Sequence, residues 1–483
     1  MSGHDEPVVE VTGLAGPRQA ELLTPEALDF VAWLDAAFAG RRRGLLVARE
    51  ARCRLLTTGV EELGFRPETR HIREDPSWRV AGPGPVPHDH DAKMVDFEDA
   101  TSPTWANIVN GQLAVRDALS GRAEPGPATI VVRPRGWHLN EAHLRVGGRP
   151  AAAALVDVGL HLFHNGRRLA AVGAGPYFHL PKLENHHEAR LWDEVFRFAQ
   201  DLLGLPYGTI RATVLIETIT AAFEMEEILF ELREHCVGLK VGRRDYLFSI
   251  IKNLGDRDRG SLLPDRSQMT MAVPFLRAYG ELLVRTCHRR GAQAFGEMSA
   301  FAASADPGRQ VTARDLLDLS VPGGRVTERG IRDNVRVVLC YLDAWLRGSG
   351  TVAVGGVTAD TATAEVARCQ LWQWIHLVAL LDDGRPVTRG LVERLVAQEH
   401  RALALELGAG NRLSDAVTLL TRTALGDDLP DFFTPAGYRE FLAAESTRPR
   451  ARPRTAWDHP LPGRHGTAPA SATHSAITGR TTR

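Results

Sequence analysis

The stretch RATVLIETITAAFEMEEILFELREHCVGLKVGRRDYLF, Arg211 to Phe248, decides the fold. Val214, Leu215 and Ile216 form a short apolar run that stops at Glu217, as a buried strand would. Ala221, Ile228, Leu229 and Leu232 then fall on one helical face. Cys236 to Leu239 give a second apolar run, with Asp245 after it. Strand, helix, strand in parallel sets both strand ends on one rim of a sheet, where Glu217 and Asp245 can converge. Paired carboxylates with open coordination positions suit a hard cation such as Mg²⁺, which takes water or substrate oxygens as its other ligands. Most acidic residues at strand ends are merely solvated or cap the next helix, so the pair alone does not decide for a metal.

Working outward, short apolar runs alternate with helical segments, which predicts a parallel α/β fold. The expected strands are Met94–Phe97, Thr129–Arg133, Ala154–Phe163, Tyr177–Leu180, Ala212–Ile216, Val237–Val241 and Ala292–Gly296. A repeat of this length favours a TIM-type (β/α)8 barrel over an open Rossmann sheet, with the eighth strand missing or replaced. No Gly-x-Gly-x-x-Gly follows a first strand, so nothing supports dinucleotide binding. Residues 22–60 read as helix, opening at Thr24 with Pro25 in the first helical position. Gly82 to Pro87 is a breaker-rich linker. Thr312 to Leu442 is predominantly helical, and the Pro-, Arg- and Thr-rich tail from Thr447 lacks the apolar residues to build a core. The expected division is an N-terminal helical segment over 1–88, the barrel over 89–305, a helical C-terminal domain over 306–446 and a disordered tail over 447–483.

Composition narrows the class. The chain has 483 residues, 44% hydrophobic and 24% charged, with a formal net charge of −1. That describes an ordinary globular protein with no field to attract nucleic acid or an anionic membrane. Five scattered cysteines, at 53, 236, 287, 340 and 369, show no metal-ligand spacing and point to a reducing, cytosolic setting. No apolar run reaches the roughly 20 residues that span a bilayer. His186 and His187 are adjacent on a helix and point in different directions, which argues against one shared transition metal. Trp372 and Trp374 read as core.

The opening stretch resembles the signature region of the malate synthases, in particular the shorter A-type. The matching residues are Arg233-Glu234-His235, Gly238-Leu239, Gly242 and Asp245-Tyr246-Leu247-Phe248. Further similar blocks run through Val95–Asp99, Arg133–Leu139, Gly175–Lys182, Pro274-Phe275, Thr286–His288, Asp360–Glu365 and Leu371–His376, and the resemblance as a whole extends over roughly 20 to 443. The resemblance implies a Mg²⁺-dependent acyltransferase of the glyoxylate bypass that condenses acetyl-CoA with glyoxylate and hydrolyses the product to malate and CoA. Its partners would be those two small molecules, without nucleic acid or membrane, and oligomerisation is left open.

By resemblance Asp360 is the base, Arg133 the catalytic arginine, and Glu217 with Asp245 the Mg²⁺ ligands. Asp96, Glu98 and Asp99 would hold Arg133 and metal-bound water, and Gly242, Arg243 and Arg244 would line the glyoxylate pocket. Without the resemblance, Arg133 reads as a structural salt-bridge residue and Asp360 as a helix N-cap. The chain departs from the family pattern at four places. Lys240 stands for an Asn and Arg244 for a Trp, adding two cations beside Asp245. Glu297 stands for a Gly, and a long segment after Phe301 is absent. Related condensation or lyase chemistry on another 2-oxo acid, with Lys240 or Arg244 reading an extra carboxylate, is one alternative. A non-catalytic metabolite-binding relative is the other.

Overall fold

The computed structural model describes residues 8–82, 92–121, 129–255, 257, 259–296 and 310–443. Its centre is a six-stranded sheet, parallel throughout and ordered as in the sequence. The strands are β1 (Ala92–Asp96), β2 (Thr129–Arg133), β3 (Tyr177–Leu180), β4 (Arg211–Ile216), β5 (Cys236–Val241) and β6 (Gln293–Phe295). Register is fixed at the rim that matters: Asp96 pairs with Arg133, and Ile216 with Val241. This is the strand-helix progression of a TIM-type barrel, and among the described residues β1 and β6 are its edges.

The helices follow from caps and apolar periodicity. Helix α1 (Pro25–Thr57) opens with Pro at its first position, and the Thr24 hydroxyl accepts from the Ala27 amide. Helix α2 (Trp105–Leu119) crosses from β1 to β2. Helix α3 (Ala153–His161) falls where the sequence predicted a strand over Ala154–Phe163. Its residues are buried on every side. A continuous apolar run fits a fully buried helix as well as a buried strand, and periodicity alone does not separate them. The parallel sheet therefore holds six of the seven expected strands. The hairpin Asn140–Val146/Arg149–Ala152 just before α3 forms a separate small sheet with Val9–Val11.

Helix α4 (His186–Leu203) is capped by Asn185 and ends at Gly204 with φ 63°, a left-handed position that suits glycine. Two short helices, Ile219–Ala222 and Met225–Glu231, bridge β4 to β5, so the predicted helix is broken at Phe223 and Glu224. Helices α5 (Arg243–Leu254) and α6 (Pro274–Arg290) lead from β5 to β6. Beyond residue 310 the chain is largely helical, with α7 (Glu328–Leu346) and α8 (Thr361–His376) at its centre.

One apolar core fills the sheet and joins α1, and a second lies among the C-terminal helices. Trp374, fully buried, donates from its indole to the Leu263 carbonyl at 2.7 Å, and Gln370 and Gln373 hold Pro264 and Ser261. These bonds seat α8 against the barrel. The boundaries expected near residues 88, 305 and 446, Glu297, the shortened segment after Phe301 and the tail lie outside the described residues.

Candidate functional site

Each strand from β1 to β5 delivers a charged or glycine residue at, or within two residues of, its C-terminal end, the rim on which barrel sites are built. Arg133, the last residue of β2, is 8% exposed. Its Nε donates to Asp96 Oδ1 at 2.8 Å, Nη2 pairs with Asp96 Oδ2, and Nη1 lies 2.9 Å from Asp99 Oδ2. A guanidinium carries five N–H groups, so donors remain for a ligand. Burial opposes its charge, but Asp96 and Asp99 hold it firmly protonated. Two of the three acids expected to hold Arg133 therefore touch it. The third, Glu98, instead accepts from the Gly136 amide, and burial pushes its carboxyl up to about 7.

Glu217 follows β4 and is buried, as is Asp245 in the first turn of α5, where the helix dipole favours an anion. Between them comes Gly242, and a Cβ there would stand 2.5 Å from Glu217 Cβ and 2.7 Å from Glu217 Oε2. Only glycine lets Glu217 approach this closely. Tyr279 braces the junction, donating to the Ile216 carbonyl and accepting from the Gly242 amide at 3.1 Å. Tyr246 stacks on it at 4.0 Å.

Sequence reading assigned no role to Lys182, although it lies in one of the quoted blocks. Its backbone is left-handed, φ 54°, an uncommon state for a residue with a Cβ. That turn aims its amide at Glu217 Oε1, 2.8 Å away. Its buried ammonium stands 3.0 Å from Asp99 Oδ1, 3.0 Å from Asp245 Oδ1 and 3.6 Å from Glu98 Oε1. Neither spacing nor residue type signals this role; it arises where three strand ends meet.

Even so, the centre is rich in anions. Burial pushes the carboxyls of Glu217 and Asp245 up, Asp245 strongly, and Lys182 offsets this only in part. Asp245 Oδ1 is buried and lacks a hydrogen bond of good geometry. Among the described residues no group of three or more His, Cys, Asp or Glu side chains is arranged to hold a metal. Two buried carboxylates, one with an oxygen lacking such a bond, are donors of the chemical type that suits a hard cation whose other ligands are water and substrate. His186 is not such a donor: its Nδ1 meets Glu224 at 2.6 Å, beside the start of α4.

Asp360 reaches the rim from the C-terminal region. It is the N-cap of α8, with Oδ1 accepting from the Thr363 amide at 2.9 Å and hydroxyl at 2.6 Å. The Thr361 amide donates to the Asp99 carbonyl at 3.2 Å, and the Thr361 hydroxyl lies 2.6 Å from Tyr341 Oη. These bonds fix the start of α8 against the loop after β1. Asp360 Oδ2 accepts from Arg244 Nη1 at 3.0 Å. A cavity of about 440 Å³ is lined by Arg133, Glu217, Asp245 and Asp360 together with Asp99, Lys240 and residues Gly242 to Arg244. Trp372 and Trp374 are buried.

Three family models match: malate synthase N-terminal domain over 7–71, malate synthase TIM barrel domain over 129–318 and malate synthase C-terminal over 325–441. The chain is 45% identical to the malate synthase of Streptomyces clavuligerus, over 89% of this chain and 97% of that one. It is 37% identical to malate synthase A of Escherichia coli strain K12, over 88% and 96% respectively. The first alignment runs over 526 positions, more than the 483 residues of this chain, so that relative carries segments with no counterpart here. A solved magnesium/glyoxylate complex of Haloferax volcanii malate synthase aligns at 15% identity with a TM-score of 0.36, covering 68% of this chain and 87% of that one.

Proposed function

Because the chain belongs to the malate synthase family, whose members condense acetyl-CoA with glyoxylate to malate, we propose that Asp360, Arg133, Glu217 and Asp245 carry that reaction here. The single observation behind the assignment is that these four side chains, from β2, β4, α5 and α8, line one cavity.

The methyl of an acetyl thioester is a very weak acid, so its proton needs a positioned base. Asp360 takes it, and the electrons of the broken C–H bond move toward the thioester oxygen. Arg133, held by Asp96 and Asp99 with donors to spare, stabilises the charge growing on that oxygen. The nucleophilic carbon attacks the aldehyde carbon of glyoxylate, and water then cleaves the thioester to release malate and CoA. Mg²⁺ held by Glu217 and Asp245 would supply Lewis-acid polarisation of the aldehyde. Lys182 keeps the Asp245 carboxylate in place, and Gly242 makes room for Glu217. Gly242, Arg243 and Arg244 line the same cavity and would form the glyoxylate pocket. We place the enzyme in the cytosol, supported by five free thiols; among the described residues no helix is long and apolar enough to cross a membrane.

The test is thiol release from acetyl-CoA in the presence of glyoxylate and Mg²⁺. Malate and free CoA should form together, and Asp360→Asn should slow the reaction by at least about 100-fold, the scale of a lost general base. Glu217→Ala should abolish stabilisation of the protein by Mg²⁺. Wild-type protein that releases no thiol, or an Asp360→Asn variant as fast as wild type, would refute the assignment.

A further inference from the structure

Both oxygens of Asp360 are engaged by groups of the protein itself. Oδ1 is held by the Thr363 amide and hydroxyl at the start of α8. Oδ2 is held by Arg244 Nη1 at 3.0 Å. The first restraint belongs to the helix cap, whereas the second is a side-chain ion pair between two elements. Arg244 reaches across from α5, and its side chain is 41% exposed against 21% for Asp360. A pair open to solvent on the arginine side is worth little, so a competing carboxylate can displace it at small cost. Arg243 and Arg266 add like charge nearby. Arg243 donates to the Met269 carbonyl at 2.7 Å, and Arg266 to Asn334 at 3.1 Å. Burial, then the charges of Arg244 and Arg243, lower the pKa of Arg266. An incoming carboxylate would therefore enter a rim already rich in guanidinium groups.

We propose that Arg244 is a positioning residue that masks Asp360 in an ion pair until the carboxylate of the 2-oxo acid takes the guanidinium, so that the base is released only once the acceptor has bound. The inference rests on Asp360 being the base. Its consequence concerns the half-reaction. In the absence of acceptor, an unmasked carboxylate removes a methyl proton from the thioester, leaving a carboxylic acid and an enolate. In D2O the acid exchanges its proton and returns a deuteron to carbon. Proton and electron pair balance, and the net change is one hydrogen replaced by deuterium. Arg244 suppresses this idle cycle.

The measurement is deuterium incorporation into the acetyl-CoA methyl by the Mg²⁺-supplied enzyme without glyoxylate, beside steady-state kinetics with it. Arg244→Met should raise the exchange rate by about two- to fivefold, the size of an exposed ion pair, and should raise KM for glyoxylate. Arg244→Lys, which keeps the charge, should return both values toward wild type. A structural lesion would lower both rates and would not be rescued by Lys. Unchanged exchange in Arg244→Met, with wild type still forming malate, overturns this proposal alone. Exchange that survives in Arg244→Met/Asp360→Asn, or a wild type that forms no malate, overturns the reading on which it rests.

Discussion

Lys182 shows what a single buried cation does for this site. Its ammonium meets Asp99 and Asp245 at 3.0 Å each, and its side chain is 3% exposed. Carboxylates at this depth cannot be solvated by water; Asp99 would keep Arg133, but Asp245 would lose its paired cation, so removing Lys182 leaves uncompensated buried charge. Lys182→Met should destabilise the protein by about 3–5 kcal/mol, the cost of breaking a buried ion pair from one side. Urea unfolding of the variant beside wild type measures this. A loss under about 1 kcal/mol, the range of exposed pairs, would mean that solvent reaches the carboxylates. Glu217 and Asp245 stood out in the sequence as carboxylates after two apolar runs, and the family resemblance singled out Arg133 and proposed their roles. Lys182 was not legible there, because its role depends on a left-handed backbone turn and on strand ends that only the fold brings together.

At the scale of elements, the start of α8 serves two functions that mutation can separate. Asp360 accepts from the Thr363 amide as an N-cap and faces the cavity as the proposed base. Asn caps a helix as well as Asp does, but it cannot take a proton in the same way; Ala can do neither. Asp360→Asn should therefore stay close to wild-type stability while losing malate formation. Asp360→Ala should lose activity and about 1 kcal/mol of stability as well. Equal destabilisation in both variants, read from melting midpoints, would show that the cap does not depend on the side-chain oxygen. Sequence reading carried both roles of Asp360, since a cap signal and a family block coincide there. It failed at Ala154–Phe163, where a fully apolar run carries no period that distinguishes helix from strand. The strands that carry the site were legible because each is a short apolar run that stops at a charged residue, a glycine or, after Leu180, a proline.

Over the whole molecule, the proposed base comes from one region and the proposed metal pair from another, so on that reading docking between them is part of the chemistry. A second buried network ties them together. Glu141, in the hairpin before α3, meets Arg135 at 2.7 Å and His143 at 2.8 Å. Tyr438, near the end of the helical region, donates to Glu141 Oε1 at 3.1 Å and accepts from the Ala142 amide at 3.1 Å. Burial alone would raise the Glu141 carboxyl, but Arg135 and His143 outweigh it and bring the pKa from 4.5 down to about 2. A carboxyl whose folded pKa is depressed stabilises the fold above its unfolded pKa and loses that contribution as pH falls through the folded value. The window is therefore about pH 4.5 to 2, and the shift corresponds to roughly 3 kcal/mol at neutral pH. Glu141→Gln should lower the melting midpoint at pH 7 and flatten its decline on acidification, so that the two curves converge toward pH 3. Because Tyr438 loses a charged acceptor, protease access to the C-terminal helices should rise in the same variant. Melting curves of wild type and Glu141→Gln that stay parallel from pH 7 to pH 3 would show that this carboxylate does not couple the two regions.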